Sequence, residues 1–526
     1  MQQGVIRTAL AGVFVFALVH SAQVTRDATL SVRIVDAAGR PTPVRVRLVG
    51  SNGERPQVHG ALAVSQSAIP IPRQAIAVMW GTNDRAEGYA TQPDGSFYVD
   101  GAFDVRVPPG TYSLTISKGF EYTEQTVTVA LAPNANVARE IRMSRWVDMP
   151  ARGWYAADDH IHLRRSPGDD AKIAKWIAAE DVQVGNLLQM GDFFATYFSQ
   201  YAFGESGRYQ ENGRMLVSGQ EEPRTPEIGH TISLGAREFV RMSRDYYSFD
   251  RIFDRVHEFG GVTGFAHQGM SFHGYRGMVL NTLRGKTDFL ELVQFCVPEG
   301  PLVTQHYYHF LDMGYRLTAL AGSDFPWCGA GPQYGGTEPD AARIGNARFY
   351  VYTGGALTFE SYMAGLKAGH TFVTTGPMLT LTVNGKLPGD SLDVAPGTKL
   401  HVVAEASGNI NSVTIVGHGK VLAQSPGKRV ELDVTASHGM WLAARCDGGR
   451  LQVAHTTPVY VRVNGGGFEN PETARRNAEI SEGYLKELEA ELANPPSNLD
   501  EQAPRHRAQL ERQIAEARAV LRHFSN

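Results

Sequence analysis

The hydrophobic period changes three times along this chain, and those changes restrict its fold more than any single motif does. From Thr29 to about Met143, apolar and polar residues alternate, as in Leu30-Ser31-Val32-Arg33-Ile34-Val35 and Tyr112-Ser113-Leu114-Thr115-Ile116. A period of two belongs to strands with one buried face. Gly39-Arg40-Pro41, Asp94-Gly95 and Pro108-Pro109-Gly110 supply turn residues between them. From Trp154 to about Met378 the strand-like runs are more continuously apolar, as in Val262 to Ala266, Phe289 to Phe295 and Leu317 to Ala321, with helix-length segments between. Strands covered on both faces read this way, which predicts a parallel sheet or barrel wrapped by helices. Alternation returns from Leu379 to about Asn464, and Gly465-Gly466-Gly467 then links to a tail with Ile480, Tyr484, Leu488, Leu492, Leu510, Ile514, Leu521 and Phe524 at helical spacing. The expected fold class is multidomain α/β plus β: a sandwich over 23–150, a barrel over 151–378, a second sandwich-like domain over 379–464 and a helical hairpin over 465–526.

Residues 1–22 read as a cleaved signal peptide. Arg7 is their only charge, an apolar run extends from Ala9 to Val19, and Ser21-Ala22 offers a small-residue cleavage site. The run is about half the ~20 residues a membrane-spanning helix needs, so no integral span is expected and the mature protein belongs in the periplasm or outside the cell. Fifty basic and fifty-four acidic side chains leave a net charge of −4, and no positive field exists to gather nucleic acid. Cys296, Cys328 and Cys446 are the only cysteines, too few for a disulfide framework or a thiolate zinc site, and their odd number leaves at least one thiol unpaired. A metal here must be held by imidazole and carboxylate.

The residues suited to that task recur at strand ends. Asp158-Asp159-His160-Ile161-His162 opens the central region, and in a strand His160 and His162 share a face. Glu221 follows Gly219-Gln220, His230 follows Ile228-Gly229, His267 closes Gly264-Phe265-Ala266, and Asp324 follows Gly322-Ser323. In parallel barrels the C-terminal strand ends converge on one face, so residues far apart in sequence meet there. Four imidazoles and two carboxylates suit divalent cations, with zinc the first choice and manganese or iron as alternatives.

The series His160-x-His162, Gly219-x-Glu221, Gly229-His230, Ala266-His267 and Gly322-Ser323-Asp324 resembles the polymerase-and-histidinol-phosphatase (PHP) superfamily, and within it the carbaryl-hydrolase-type (CehA/McbA) metallohydrolases. Leu366 to Gly385 and Pro388-Gly389-Asp390 resemble that family's exit from its catalytic domain. The resemblance implies a distorted (β/α)7 barrel flanked by β-sandwiches. It also implies two divalent ions, with His160, His162, Glu221 and Asp324 on one, Glu221, His230 and His267 on the other, and Glu221 bridging. Where the fuller pattern has Asp-His and a terminal Asp-x-His, this chain has Asp192-Phe193 and Asp324-Phe325-Pro326, so ligands for a third metal are missing. Separately, Asp94-Gly95-Ser96-Phe97 and Val107-Pro108-Pro109-Gly110-Thr111-Tyr112 resemble carboxypeptidase-regulatory, transthyretin-like modules.

The function expected is hydrolysis of an ester or carbamate in a small molecule by metal-activated water. Asp192 or His273 is placed to shuttle the proton to the leaving group. Phe193, Phe194, Tyr197 and Trp327 form a candidate aromatic mouth, while Arg164 and Arg224 favour the alternative of a phosphoesterase. A secreted ligand-binding protein without catalysis is the second alternative. His306 and His309 read as surface residues, and the C-terminal helices are a candidate surface for a homo-oligomer.

Overall fold

The computed structural model describes residues 27–64, 92, 94–297, 299–329, 343–494 and 502–524, so the expected signal peptide lies outside the described residues. The N-terminal region forms one seven-stranded sheet from Ala28–Val35, Pro43–Gly50, His59–Ala61, Ser96–Val107, Gly110–Ser117, Gln125–Leu131 and Asn136–Arg142. The alternation in its sequence places Leu30, Val32, Ile34, Leu114 and Ile116 in a core of its own. This sheet is bolted to the next region through the helix Asp170–Ala179. Trp176 packs on Tyr98 with ring centroids 4.8 Å apart, and Lys118 Nζ donates to Ala178 O at 2.7 Å.

Seven strands make up the central part of the main sheet: Trp154–Ile161, Val184–Gly191, Arg214–Glu221, Gly229–Leu234, Val262–Phe265, Phe289–Val293 and Thr318–Ala321. The first three run parallel, as do the last three. The fourth, Gly229–Leu234, is antiparallel to both neighbours. The reason is the link 222–228: a parallel connection needs a crossover of about a dozen residues or more, and this link is too short for one. A parallel bridge from Ile161 to Phe325 joins the last strand end to the first. Helices Asp170–Ala179, Phe249–Glu258, Gly274–Thr282 and Gln305–Asp312 follow four of the seven strands. Among the described residues the whole chain carries seven α-helices, so the fold is β-rich throughout.

The boundary expected at residue 378 does not separate two sheets. Arg348–Tyr352 pairs with Trp154–Ile161, Thr371–Thr374 pairs with Arg348–Tyr352, and Gln452–Thr456 pairs with Thr371–Thr374. The main sheet therefore runs on into the C-terminal β-region. There it faces a three-stranded sheet of Met378–Val383, Thr398–Ser407 and Arg429–Ala436 across a shared core that includes Leu381, Val402, Ile415 and Leu442.

The tail folds back on this same chain. Helices Ala474–Ala493 and Gln502–Leu521 lie against Gly274–Thr282, and Ala474–Ala493 also against Gln305–Asp312. Leu485, Leu488, Leu510 and Ile514 are buried in the central core. Their apolar face packs on their own chain, and burying it there satisfies the amphipathic pattern. Arg512 and Arg284 both pair with Asp250, at 2.8 and 3.0 Å, fixing the second helix in place. His306 and His309 are likewise not surface residues. The tail buries them, and His309 Nε2 lies 2.9 Å from Ser481 Oγ. Among the described residues no helix is long and apolar enough to cross a membrane.

Burial pushes the imidazoles of His306 and His309 down to about 4. An unfolded chain takes these protons near pH ~6.5, so their stabilising contribution is complete above that pH and is lost as pH falls toward 4. Protection factors for hydrogen exchange through 474–493, which already remove the intrinsic rate, are expected to fall between pH 7 and pH 5. His309→Gln should flatten part of that dependence, and protection factors independent of pH in the wild type would contradict it.

Candidate metal centre

The site is assembled from strand ends held together by one buried carboxylate. Asp158 accepts from His160 N at 3.0 Å, Ser323 N at 3.0 Å, Ser323 Oγ at 2.6 Å and Gly345 N at 2.7 Å. It ties the end of the first central strand to the end of the seventh. Burial raises its carboxyl to about 6 against the pull of these donors. The two strand ends approach so closely that a Cβ on Gly322 would lie 2.3 Å from Asp159 Oδ1 and 2.4 Å from His160 Cβ. Glycine is required there because nothing else fits.

The six predicted ligands converge as two overlapping groups. His160 Nε2 and His162 Nε2 are 3.0 Å apart, and Asp324 Oδ1 lies 3.4 and 3.3 Å from them. Glu221 Oε2 is 3.7 Å from His160 Nε2 and 3.3 Å from His162 Nε2. The other oxygen, Glu221 Oε1, faces a second group: His230 Nδ1 at 2.9 Å and His267 Nε2 at 3.6 Å. All six side chains are buried.

Outer partners fix which nitrogen each ring turns inward. His162 Nδ1 can only donate to Leu188 O, 3.3 Å away. His160 Nδ1 sits 3.0 Å from Glu291 Oε1, and His267 Nδ1 sits 2.7 Å from Gln294 Oε1. Each of these rings therefore presents an Nε2 lone pair to the carboxylates. Lone pairs facing lone pairs at 3.0 Å repel unless a proton or a metal cation lies between them. Glu221 Oε1 is moreover buried without a hydrogen bond of acceptable geometry. Buried His, Glu and Asp groups able to hold a metal are thus present, and the donor set fits a divalent cation.

The electrostatics follow from this crowding. Burial works to raise Glu221, but Arg224 and His230, with His160 and His162, outweigh it and hold the carboxyl well below its ordinary range. Burial and then Arg224 depress His230 to about 3. Burial opposes the charged form of His160, yet Asp324 and Glu291 raise it well above normal.

A cavity of about 340 Å³ opens onto these atoms. Arg224, Met190, Phe272, Trp327 and the Cys296–Cys328 disulfide line it. Arg224 Nε is 3.1 Å from Glu221 Oε1, Trp327 packs on His162 with centroids 5.0 Å apart, and Phe272 stacks on His230 at 4.4 Å. The backbone is left-handed at His267, Gln268, Phe272, His273 and Asp324, a concentration of strain typical of functional sites. A larger cavity of about 440 Å³, near Arg45, Trp146 and Arg348, has no imidazole among its described lining residues.

Several expected site residues stand elsewhere. Asp192 caps its own turn, accepting from Phe194 N at 2.8 Å, Ala195 N at 2.9 Å and Tyr197 OH at 2.9 Å, so its carboxylate is committed. His273 is exposed, with Nδ1 2.9 Å from Pro226 O, and does not line the cavity. Phe193 packs on Tyr246 and His506, Phe194 is 70% exposed, and Arg164 is exposed. None of these reaches the cavity wall. Trp327 and Arg224 do. Glu291, Gln294 and Phe272 escaped the sequence reading. An acid inside the apolar run Phe289-Leu290-Glu291-Leu292-Val293 was the available signal, because a buried carboxylate requires partners. Of the three cysteines, Cys446 is buried and free, as their odd number requires of at least one, and Cys296 and Cys328 are paired.

No family model and no curated protein matches this chain. Solved structures with some likeness include fibronectin(III)-like modules of Clostridium thermocellum CbhA, 15% identical over 16% of this chain and 96% of that one, with a TM-score of 0.14. An FMN-binding β-glucuronidase from Facaelibacterium prausnitzii L2-6 is 10% identical over 84% and 74%, and Bacteroides uniformis β-glucuronidase 3 is 11% identical over 81% and 61%, each with a TM-score of 0.17. At such scores the likeness defines no shared fold.

Removing the outer partners should loosen the ligands without unfolding the protein. Glu291→Gln and Gln294→Ala are each expected to weaken divalent-metal affinity about 10–100-fold in chelator competition. Affinity equal to wild type in both would show that the imidazoles need no such support.

Proposed function

We propose that this protein is a metal-dependent hydrolase whose centre holds two divalent ions, zinc by first choice, with Glu221 shared between them. The observation that carries this reading is the division of the Glu221 carboxylate, one oxygen toward His160 and His162 and the other toward His230 and His267. Asp324 completes the first group. The finer fold reading, a PHP-type distorted (β/α)7 barrel of the CehA/McbA type, is supported by the order of these motifs and by seven strands, five of which carry them at their ends.

Divalent ions bound there supply Lewis acidity, which acidifies water and polarises a substrate oxygen. The chain's own groups do the rest. Glu291, Gln294 and Leu188 O hold three imidazoles in the metal-binding tautomer. Trp327, Phe272 and Met190 restrict water and offer apolar contact to the substrate body. Arg224, beside Glu221, is placed to receive an oxygen that gains negative charge. With Asp192 committed to its turn, Arg224 and solvent are the groups left to manage charge at the leaving atom. An ester or carbamate suits this largely apolar cavity. A phosphoester is the second reading, favoured specifically by the guanidinium at the site. Secretion into an oxidising compartment is supported by the Cys296–Cys328 bond.

Metal analysis should find two ions per chain in wild type and at most one in Glu221→Ala, with hydrolysis reduced at least about 10³-fold. Nitrophenyl acetate is expected to turn over faster than nitrophenyl phosphate. Full activity in metal-free protein would defeat the proposal, and turnover of phosphate alone would select the second reading.

A further inference from the structure

Cys296, His267 and Asp324 bring ligand-capable atoms within 4.8 Å of one another. Cys296 lies in the loop after Phe289–Val293 and Cys328 in the loop after Thr318–Ala321, and their bond spans the cavity wall. Both sulfurs touch the same carboxylate oxygen: Cys296 Sγ is 2.9 Å and Cys328 Sγ 3.3 Å from Asp324 Oδ2. His267 Nδ1 is 3.7 Å from that oxygen. These atoms lie on the reverse faces of two ligands already described. Asp324 turns Oδ1 toward His160 and His162, and His267 turns Nε2 toward Glu221. Asp324 is therefore two-faced, with nitrogen partners on one oxygen and sulfur on the other, and His267 Nδ1 lies beside the sulfur-facing oxygen.

A disulfide sulfur is not the ligand form of cysteine; the thiolate is. We infer that Cys296 is a latent metal ligand: once the Cys296–Cys328 bond is reduced, Cys296, His267 and Asp324 form a further divalent-metal site with a sulfur donor. The disulfide keeps that site closed. Opening it requires a dithiol or a phosphine. A dithiol passes two electrons and two protons to the S–S bond and becomes a disulfide itself, leaving thiols at Cys296 and Cys328. The arriving cation then displaces the Cys296 thiol proton to solvent. Both cysteines are partly exposed on the cavity wall, so a small reductant has access. Occupation of the sulfur side would draw on His267 Nδ1, which is now 2.7 Å from Gln294 Oε1, and would set the new site in competition with the Glu221 groups. Thiolate strongly favours cations such as zinc and cobalt, so the competition runs toward sulfur. The sulfur site shares two residues with the proposed two-ion centre, but a sulfur-to-metal absorption band belongs to it alone.

Cobalt(II) titration of the full chain, followed by absorption, provides the test, because thiolate ligation adds an intense near-ultraviolet charge-transfer band that nitrogen and oxygen donors lack. Oxidised wild type is expected to show no such band. Reduction with a water-soluble phosphine, which takes an oxygen from water as it delivers the two thiols, should make it appear. Cys328→Ser should give the band with no reductant, and Cys296→Ser should lack it under all conditions, which also excludes Cys446 as the source. Cobalt binding without the band in both reduced wild type and Cys328→Ser would overturn the inference, as would a band that persists in Cys296→Ser. If oxidised wild type binds no cobalt while Cys328→Ser develops the band, the inference stands and the two-ion reading fails.

Discussion

Everything at the centre of this protein depends on the crowding of unshared electron pairs around Glu221. Two imidazole nitrogens 3.0 Å apart, both with their other nitrogen committed to an acceptor, meet a carboxylate oxygen each from Glu221 and Asp324. Water is largely excluded, so the repulsion is poorly screened. Such a cluster is costly in a folded chain unless a cation repays it. The strain at His267 and Asp324, the buried Asp158 clamp and the glycine at 322 are all consequences of bringing these atoms together.

The remainder of the molecule is a scaffold that resists this cost. The main sheet does not end at the seven central strands; it continues through Arg348–Tyr352 and Thr371–Thr374 into the C-terminal β-region. The N-terminal sheet grips the first helix through Trp176 and Lys118, and the helical tail seals the opposite flank with Leu485, Leu488, Leu510 and Ile514. Strand ends that carry ligands are thus braced from three sides. A site built of short connections, such as the link 222–228, tolerates little movement of its supports.

Much of this was legible in the residues themselves. The alternation of Leu30 to Val35 and of Leu379 to Val383 marked half-buried strands correctly, because a period of two is set by strand geometry alone. The ligands were legible because polar residues ending apolar runs have few structural uses. Sequence order makes Asp192 and His273 candidate proton shuttles because it cannot say whether a carboxylate is already committed to a turn or a ring faces solvent. Glu291 and Gln294 went unread for the converse reason: their partners, His160 and His267, are distant in sequence.

The sequence by itself determined the order of elements, the six His, Glu and Asp side chains that could hold a metal, and the predominance of imidazole and carboxylate among them, since periodicity and donor chemistry are local properties. Tertiary structure alone decided that Gly229–Leu234 runs antiparallel, that the tail covers its own chain, that Cys296 finds Cys328, and that the two oxygens of Glu221 face different groups. Those are questions of which surfaces meet, and they are settled by packing between residues that no local pattern connects.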